Sequence, residues 1–276
     1  MSGESIAATT RRTFRGGLAT MRAELQIAAQ YRANMLVWGF AGVLQVVVYL
    51  AVWRAVATES GGTSGGYTPG AFAGYFLVLL IVREMTYTWI PYDFPDFVRL
   101  GKLAPMMLRP LHPLVSIGVR MAAYRVQSTL MIVPAAAVLF WVFDAEVHTS
   151  AGAVVAAAAL VPLAALLRSL CDSLLAMSAL WLVRIDGLRG VYYLLLLFLG
   201  GQFAPLGVLP PTLQVVARAL PFYWMLGYPV ELAIGRAPVS DAWIGLGVLA
   251  AWIVVTFAAV QPVWRRGARA YEAVGQ

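Results

Sequence analysis

Four ionisable side chains stand where this sequence is otherwise apolar. Arg83 and Glu84 are adjacent inside AFAGYFLVLLIVREMTYTWI. Arg168 and Asp172 are four apart inside AALLRSLCDSLLA, a spacing that puts both on one face of a helix. A charge held in an apolar medium is costly, and such residues usually face a bundle interior or a cavity. Two roles are open for them. They line a transport path, or they pair structurally, either within the second run or between the two runs.

The remaining candidates for chemistry are few. The only lysine is Lys102, and Leu103 follows it. The phosphate cradle G-x-x-x-x-G-K-[ST] needs a lysine on the phosphates and a hydroxyl on magnesium, so this chain has no such site. If ATP drives it, another chain hydrolyses the ATP and holds the magnesium. Asp93 and Asp96 form an isolated DFPD pair, where an enzyme acting on diphosphate lipids needs Asp-rich magnesium motifs. His112 and His148 are far apart and fall in loops, so an intramembrane Ser–His pair is not available. Cys171 stands alone, which excludes a disulfide or a cysteine metal site within one chain. An ion-driven carrier needs acidic groups near the membrane midplane, and only Glu84 and Asp172 qualify. That carrier is the alternative reading, and a membrane-embedded enzyme is a more distant one.

The elements that position these residues follow from composition. Of 276 residues, 61% are hydrophobic and 12% charged. A soluble domain is about 45–50% apolar and about 25% charged, so lipid must be part of this chain's solvent. Six runs are long enough, or nearly so, to cross a bilayer: 35–53, 71–90, about 127–143 with an earlier start, 151–183, 191–208 interrupted by Gly200-Gly201 and Pro205, and 242–260. The net charge of +7 is not a nucleic-acid signal, because the arginines lie between apolar runs rather than on one polar face. They are also lopsided. The arm before the first run, the stretch 91–125, the loop 184–190 and the tail hold fifteen of the twenty basic residues, and the opposite loops hold Arg218 and Arg236. The positive-inside rule then puts both termini in the cytoplasm, which agrees with an even number of spans. No secretory leader is expected, because residues 1–34 are polar or amphipathic rather than a short basic region.

Three connecting segments carry more information than plain loops. Over Thr9–Tyr31, Phe14, Leu18, Met21, Leu25 and Ala28 recur at helical spacing with Arg11, Arg15 and Arg22 along one flank, which predicts an interfacial amphipathic helix. PYDFPDFVRLGKLAPMMLRPLHPL is several times longer than an ordinary helix connector and mixes apolar with charged residues. It is the candidate docking surface for a soluble partner, with Phe94 and Phe97 as apolar anchors and Asp93, Asp96 and Arg99 as polar contacts. The stretch 200–236 is apolar, yet Pro205, Pro210, Pro211, Pro221 and Pro229 cut it into pieces too short to span. It predicts two re-entrant half-helices in the outer leaflet, the second near 222–234. Phe203, Phe222, Tyr223 and Trp224 lie there, bulky rings suited to an amphiphilic or lipid-like substrate. The expected layout is therefore all-α: residues 1–32 an interfacial helix, 33–264 a six-span domain, 265–276 a cytoplasmic tail.

This layout resembles the permease subunits of the ABC type-2 exporter family, which move drugs, antibiotics and polysaccharides. VRLGKLAPMMLRPLHPL resembles the family's loop between spans two and three, LPFYWMLGYPVELAIGR its segment before the last span, and WRRGARAYEAVGQ the short Arg-rich tail of one subgroup. The resemblance implies a plasma-membrane dimer of permeases, from two copies or from two homologous chains, served by two cytoplasmic ATP-binding subunits. It implies that Asp93–Arg99 is the coupling helix seated in a groove of the ATPase. Substrate would pass between the permeases near spans two and five and leave past the re-entrant pieces.

Overall fold

The computed structural model describes residues 32–108, 112–182 and 184–274. The expected interfacial helix over Thr9–Tyr31 lies outside the described residues. Elsewhere the chain is helical, as an apolar solvent requires: lipid offers backbone N–H and C=O groups no partners, so each segment must satisfy its own. Among the described residues the sole extended pairing is a single bridge between Ser64 and Tyr67.

Among the described residues eleven α-helices follow in order: α1 (Arg32–Glu59), α2 (Pro69–Thr86), α3 (Ile90–Arg99), α4 (Leu103–Met107), α5 (Pro113–Val142), α6 (Ala151–Met177), α7 (Asp186–Leu199), α8 (Pro211–Ala219), α9 (Pro221–Met225), α10 (Gly227–Ala233) and α11 (Ala242–Val274). Among the described residues five stretches are long and apolar enough to cross a membrane: Gly42–Glu59, Pro69–Arg99, Pro113–Val142, Ala151–Leu180 and Val239–Tyr271. The second joins α2 to α3 through a break at 87–89. The third starts at Pro113, and the last runs well past Val260, so the Arg-rich ending is helical as far as Val274.

The expected fifth span differs most from the sequence reading. Its helix, α7, begins earlier, at Asp186, and stops at Leu199 after 14 residues. At 1.5 Å per residue that is about 21 Å, short of a hydrocarbon core of about 30 Å. Gly200 follows the last turn, and Gly201 adopts φ +79°, a backbone state that glycine reaches without strain.

Side-chain packing sorts the ends of the bundle. At one end Glu146 N–H donates to Gly70 O at 2.9 Å and Arg236 Nη2 donates to Gly66 O at 2.8 Å. Gly65 lies there so close to Val208 that a Cβ would come within 2.8 Å of its side chain. At the other end α3 packs under α6 and α11, with the Phe94 and Trp264 rings 6.3 Å apart, and Arg189 Nη1 donates to Pro91 O at 3.3 Å. The segment from Asp186 to Val208 thus leads from the α3 end to the Gly65 end. Between the ends α2 is the central helix, buried from Phe72 to Val82 among α1, α5 and α6. The outer faces remain apolar: Leu130 is 72% exposed, Trp141 81% and Trp243 77%. In water such surface would drive aggregation, whereas in a bilayer it is the expected boundary.

Candidate functional site

The break between α2 and α3 organises the interior. It frees the carbonyls of Thr86 and Tyr87 from helical partners, and buried carbonyls need donors. Arg125 of α5 supplies them: Nη2 donates to Thr86 O (3.2 Å) and Nε to Tyr87 O (3.0 Å). Nη2 also donates to Ser169 Oγ (2.6 Å) and Ala165 O (3.4 Å) on α6. The sequence reading counted Arg125 among the cations flanking the membrane. The structure places it differently, because its guanidinium is consumed inside the bundle by acceptors on the α2–α3 break and on α6.

Thr88, in the same break, donates from Oγ1 to Asp172 Oδ2 at 2.6 Å. Arg168 Nε lies 3.7 Å from that oxygen, and the two side chains are 2% and 0% exposed. The Arg168 guanidinium also sits over the Tyr87 ring, 5.5 Å from its centroid. Its Nε and Nη1 have no hydrogen-bond partner among the described residues. Of the two pairings the spacing left open, the one within α6 is formed. Arg83 instead meets its neighbour Glu84 at 3.4 Å and donates to Gln45 Oε1 at 3.0 Å.

These groups surround a cavity of about 490 Å³. Gly42 and Gln45 of α1, Arg83 and Glu84 of α2, and Tyr124, Ser128, Met131 and Ile132 of α5 form its walls. Tyr87, Trp89, Tyr92, Arg168, Tyr193 and Gln202 complete it. Four of its rings are linked: Tyr87 to Trp89 (5.2 Å between centroids), Trp89 to Tyr92 (5.6 Å), and Tyr92 stacked on Tyr193 (6.0 Å). Arg83, Glu84 and Arg168 share this one space. Asp172 does not line it, being paired to Arg168 and Thr88.

At the α3 end the proposed docking residues divide between two faces. Asp93 is bound to Arg120 at 2.7 Å, and the same guanidinium lies over the Phe97 ring at 5.3 Å. Asp96 and Arg99 pair at 3.0 Å and remain 58% and 67% exposed. Phe94 is wholly buried among Leu103, Ile117, Met121, Met177 and Trp264. Its assignment as a partner anchor is therefore corrected: the ring holds α3 to its own bundle and has no surface to offer. Next to α3 lies a groove of about 360 Å³ that includes Phe97, Lys102 and Arg120. His112 caps α5, its Nδ1 accepting from Leu114 N–H at 3.2 Å. Partial burial against Trp264 lowers its pKa below the usual imidazole range, which keeps Nδ1 free to accept.

At the opposite end Pro205 precedes a 3-10 turn, and Pro221 opens α9 directly after α8. The expected second half-helix is itself divided at Leu226, where φ −135° and ψ −64° separate α9 from α10. Phe222, Tyr223 and Trp224 turn inward, at 8%, 5% and 8% exposure. Tyr223 OH donates to Glu231 Oε2 (2.6 Å) and Trp224 Nε1 to Arg218 O (2.8 Å). These rings serve the chain's own core in this conformation rather than presenting a surface to substrate. The sequence reading missed Thr88, Gln45 and the tyrosines of the cavity. For Tyr87, Thr88 and Tyr92 the signal was the density of aromatics in YTWIPYDF, beside the expected end of span two, and Gln45, Tyr124 and Tyr193 had none.

Long helices with apolar outer faces around a polar, aromatic interior space define a multi-pass membrane protein. The family model described as ABC-2 family transporter protein matches residues 43–275, and the chain belongs to that family. It is accordingly a membrane-embedded transport component. No curated protein matches it.

Proposed function

We propose that this chain is the membrane-spanning subunit of an ATP-driven exporter in the cell membrane. It forms half of a translocation pathway with a second permease, either its own copy or a homologous chain. ATP and magnesium are held by a separate cytoplasmic subunit, present in two copies. The observation that carries this reading is α3, a ten-residue helix fixed from within by Phe94 and by the Asp93–Arg120 pair, leaving Asp96, Arg99 and Leu100 outward. A short helix held that firmly at the arginine-rich end transmits a push from a docked ATPase to the α2–α3 break beside the cavity.

Six crossings with both termini in the cytoplasm are part of the same reading. The contacts of Asp186–Val208 with both ends of the bundle support a fifth crossing made by α7 and the turn after it. The proline-separated pieces from Pro205 to Asp241 form the re-entrant layer of the outer leaflet. Arg83, Glu84 and Arg168 belong to the transport path through the cavity they share.

The test follows from the exposed face of α3. Asp96→Ala with Leu100→Ala removes surface contacts only, so stability should move by no more than about 0.5 kcal/mol. Affinity purification from native membranes should recover an ATP-hydrolysing subunit with the wild type and much less of it with the double variant, and ATP-dependent transport should fall in parallel. Equal recovery and equal transport in the variant would defeat the coupling role of α3. Transport by the wild type with no ATPase present would defeat the exporter reading.

A further inference from the structure

The charge around the cavity does not balance. Near it, among the described residues, are three arginines (Arg83, Arg125 and Arg168) and two carboxylates (Glu84 and Asp172). Arg83 is matched by Glu84. Arg125 gives its hydrogen bonds to neutral acceptors and has no carboxylate partner. Arg168 shares the single carboxylate of Asp172, which Thr88 also engages. The unmatched positive charge is that of Arg125, which stands beside the cavity, whose walls combine aromatic rings with polar side chains. A buried charge without a counter-charge is unfavourable, and an anion entering the neighbouring space relieves it. Arg168 is the group to receive that anion. It lines the cavity and is 2% exposed, and among the described residues its buried Nε and Nη1 have no hydrogen-bond partner, so its donors are not used up inside the protein.

The walls specify the rest of the ligand. Tyr87, Trp89, Tyr92 and Tyr193 present linked rings, which favour a flat apolar body by stacking. A volume of about 490 Å³ is in the range of small-molecule pockets, roughly 300–1,000 Å³. We propose that this cavity is a binding site, within a single permease chain, for a monoanionic compound with a planar aromatic or similarly flat apolar body, its anionic group held by Arg168 and its body stacked among the cavity's tyrosines and Trp89. The inference rests on the transporter reading only for calling the ligand a substrate; the binding itself needs no ATPase.

The experiment uses the full chain in phosphatidylcholine nanodiscs and three probes of matched shape: 2-naphthalenesulfonate, 2-naphthalenemethanol and a 2-naphthylmethylammonium salt. Calorimetric titration should show the sulfonate binding at least about ten-fold more tightly than the alcohol, the scale of one hydrogen-bonded charge contact, with the cation weakest. Arg168→Gln should remove that preference and leave the alcohol's affinity unchanged. Gln45→Glu provides a control that leaves the Arg168–Asp172 pair intact. It swaps one cavity-lining group for its near-isostere, sets a second carboxylate against Arg83 and neutralises the surplus charge. It should weaken the sulfonate several-fold relative to the alcohol. Equal affinity for sulfonate and alcohol in the wild type would overturn the proposal, as would a sulfonate preference that survives Gln45→Glu unchanged. Selective sulfonate binding with no ATP-dependent movement of the probe in the assembled transporter would count against the exporter reading and leave the site standing.

Discussion

Arg168 and Asp172 pack together because neither is tolerable alone in a bundle surrounded by lipid. Thr88 completes one face of the carboxylate, and the Tyr87 ring covers the guanidinium. Arg168→Leu by itself leaves Asp172 buried without its cation and should lower stability by about 3–5 kcal/mol. Arg168→Met combined with Asp172→Leu removes the charges together and should regain most of that loss. Thermal unfolding in nanodiscs measures both, and a double variant no more stable than the single one would mean that the pair is not structural. Arg125 makes a sharper case, since its planar fork spans acceptors on the α2–α3 break and on α6. Lysine has the charge but not the fork. Arg125→Lys should leave carbonyls unsatisfied and lower stability by about 1–3 kcal/mol in the same assay.

Among the elements, α3 shows how an amphipathic pattern is easily read inside out. Phe94 and Phe97 suggest an apolar face offered to a partner, yet the chain itself takes that face, and the polar side is what remains outside. Phe94→Ala should therefore act as a core truncation, costing about 3–5 kcal/mol, and should lower the unfolding temperature even when no other protein is present. Unchanged stability would return Phe94 to the surface. α2 is held just as closely at its other end, where Gly74 lies against the Glu146 backbone with no room for a methyl group. Gly74→Ala forces backbone to move and should cost about 1–3 kcal/mol, read as a lower melting temperature.

At the scale of the whole molecule, orientation rests on charge. The α3 end gathers Arg99, Lys102, Arg189 and the basic turns of α11, while the Gly65 end is rich in glycine and holds fewer cations, Arg54, Arg218 and Arg236. In a Cys171→Ala background, Ser64→Cys should react from outside intact cells with a membrane-impermeant maleimide, and Gly101→Cys should react only after the membrane is opened. Labelling of Gly101→Cys in intact cells would invert the topology.

By itself the sequence determined the solvent, the helical class, the long crossings and the lopsided charge, because run length and composition respond directly to a bilayer. It also carried the family resemblance, in stretches whose order matters more than any single motif. It could not separate the inner from the outer face of a helix. On α1, Val46 and Leu50 are buried while Leu44 and Val48 are each 51% exposed, yet all four are aliphatic. Lipid is as apolar as a packed core, so hydropathy treats both faces alike. Only the tertiary structure decided which apolar side chains meet each other, that Phe94 points inward, that the helix of the fifth run starts as early as Asp186, and that Arg125 and Thr88 join the buried charges. Those outcomes depend on close packing and on where broken backbone finds its donors, and both are set by neighbours distant in the chain.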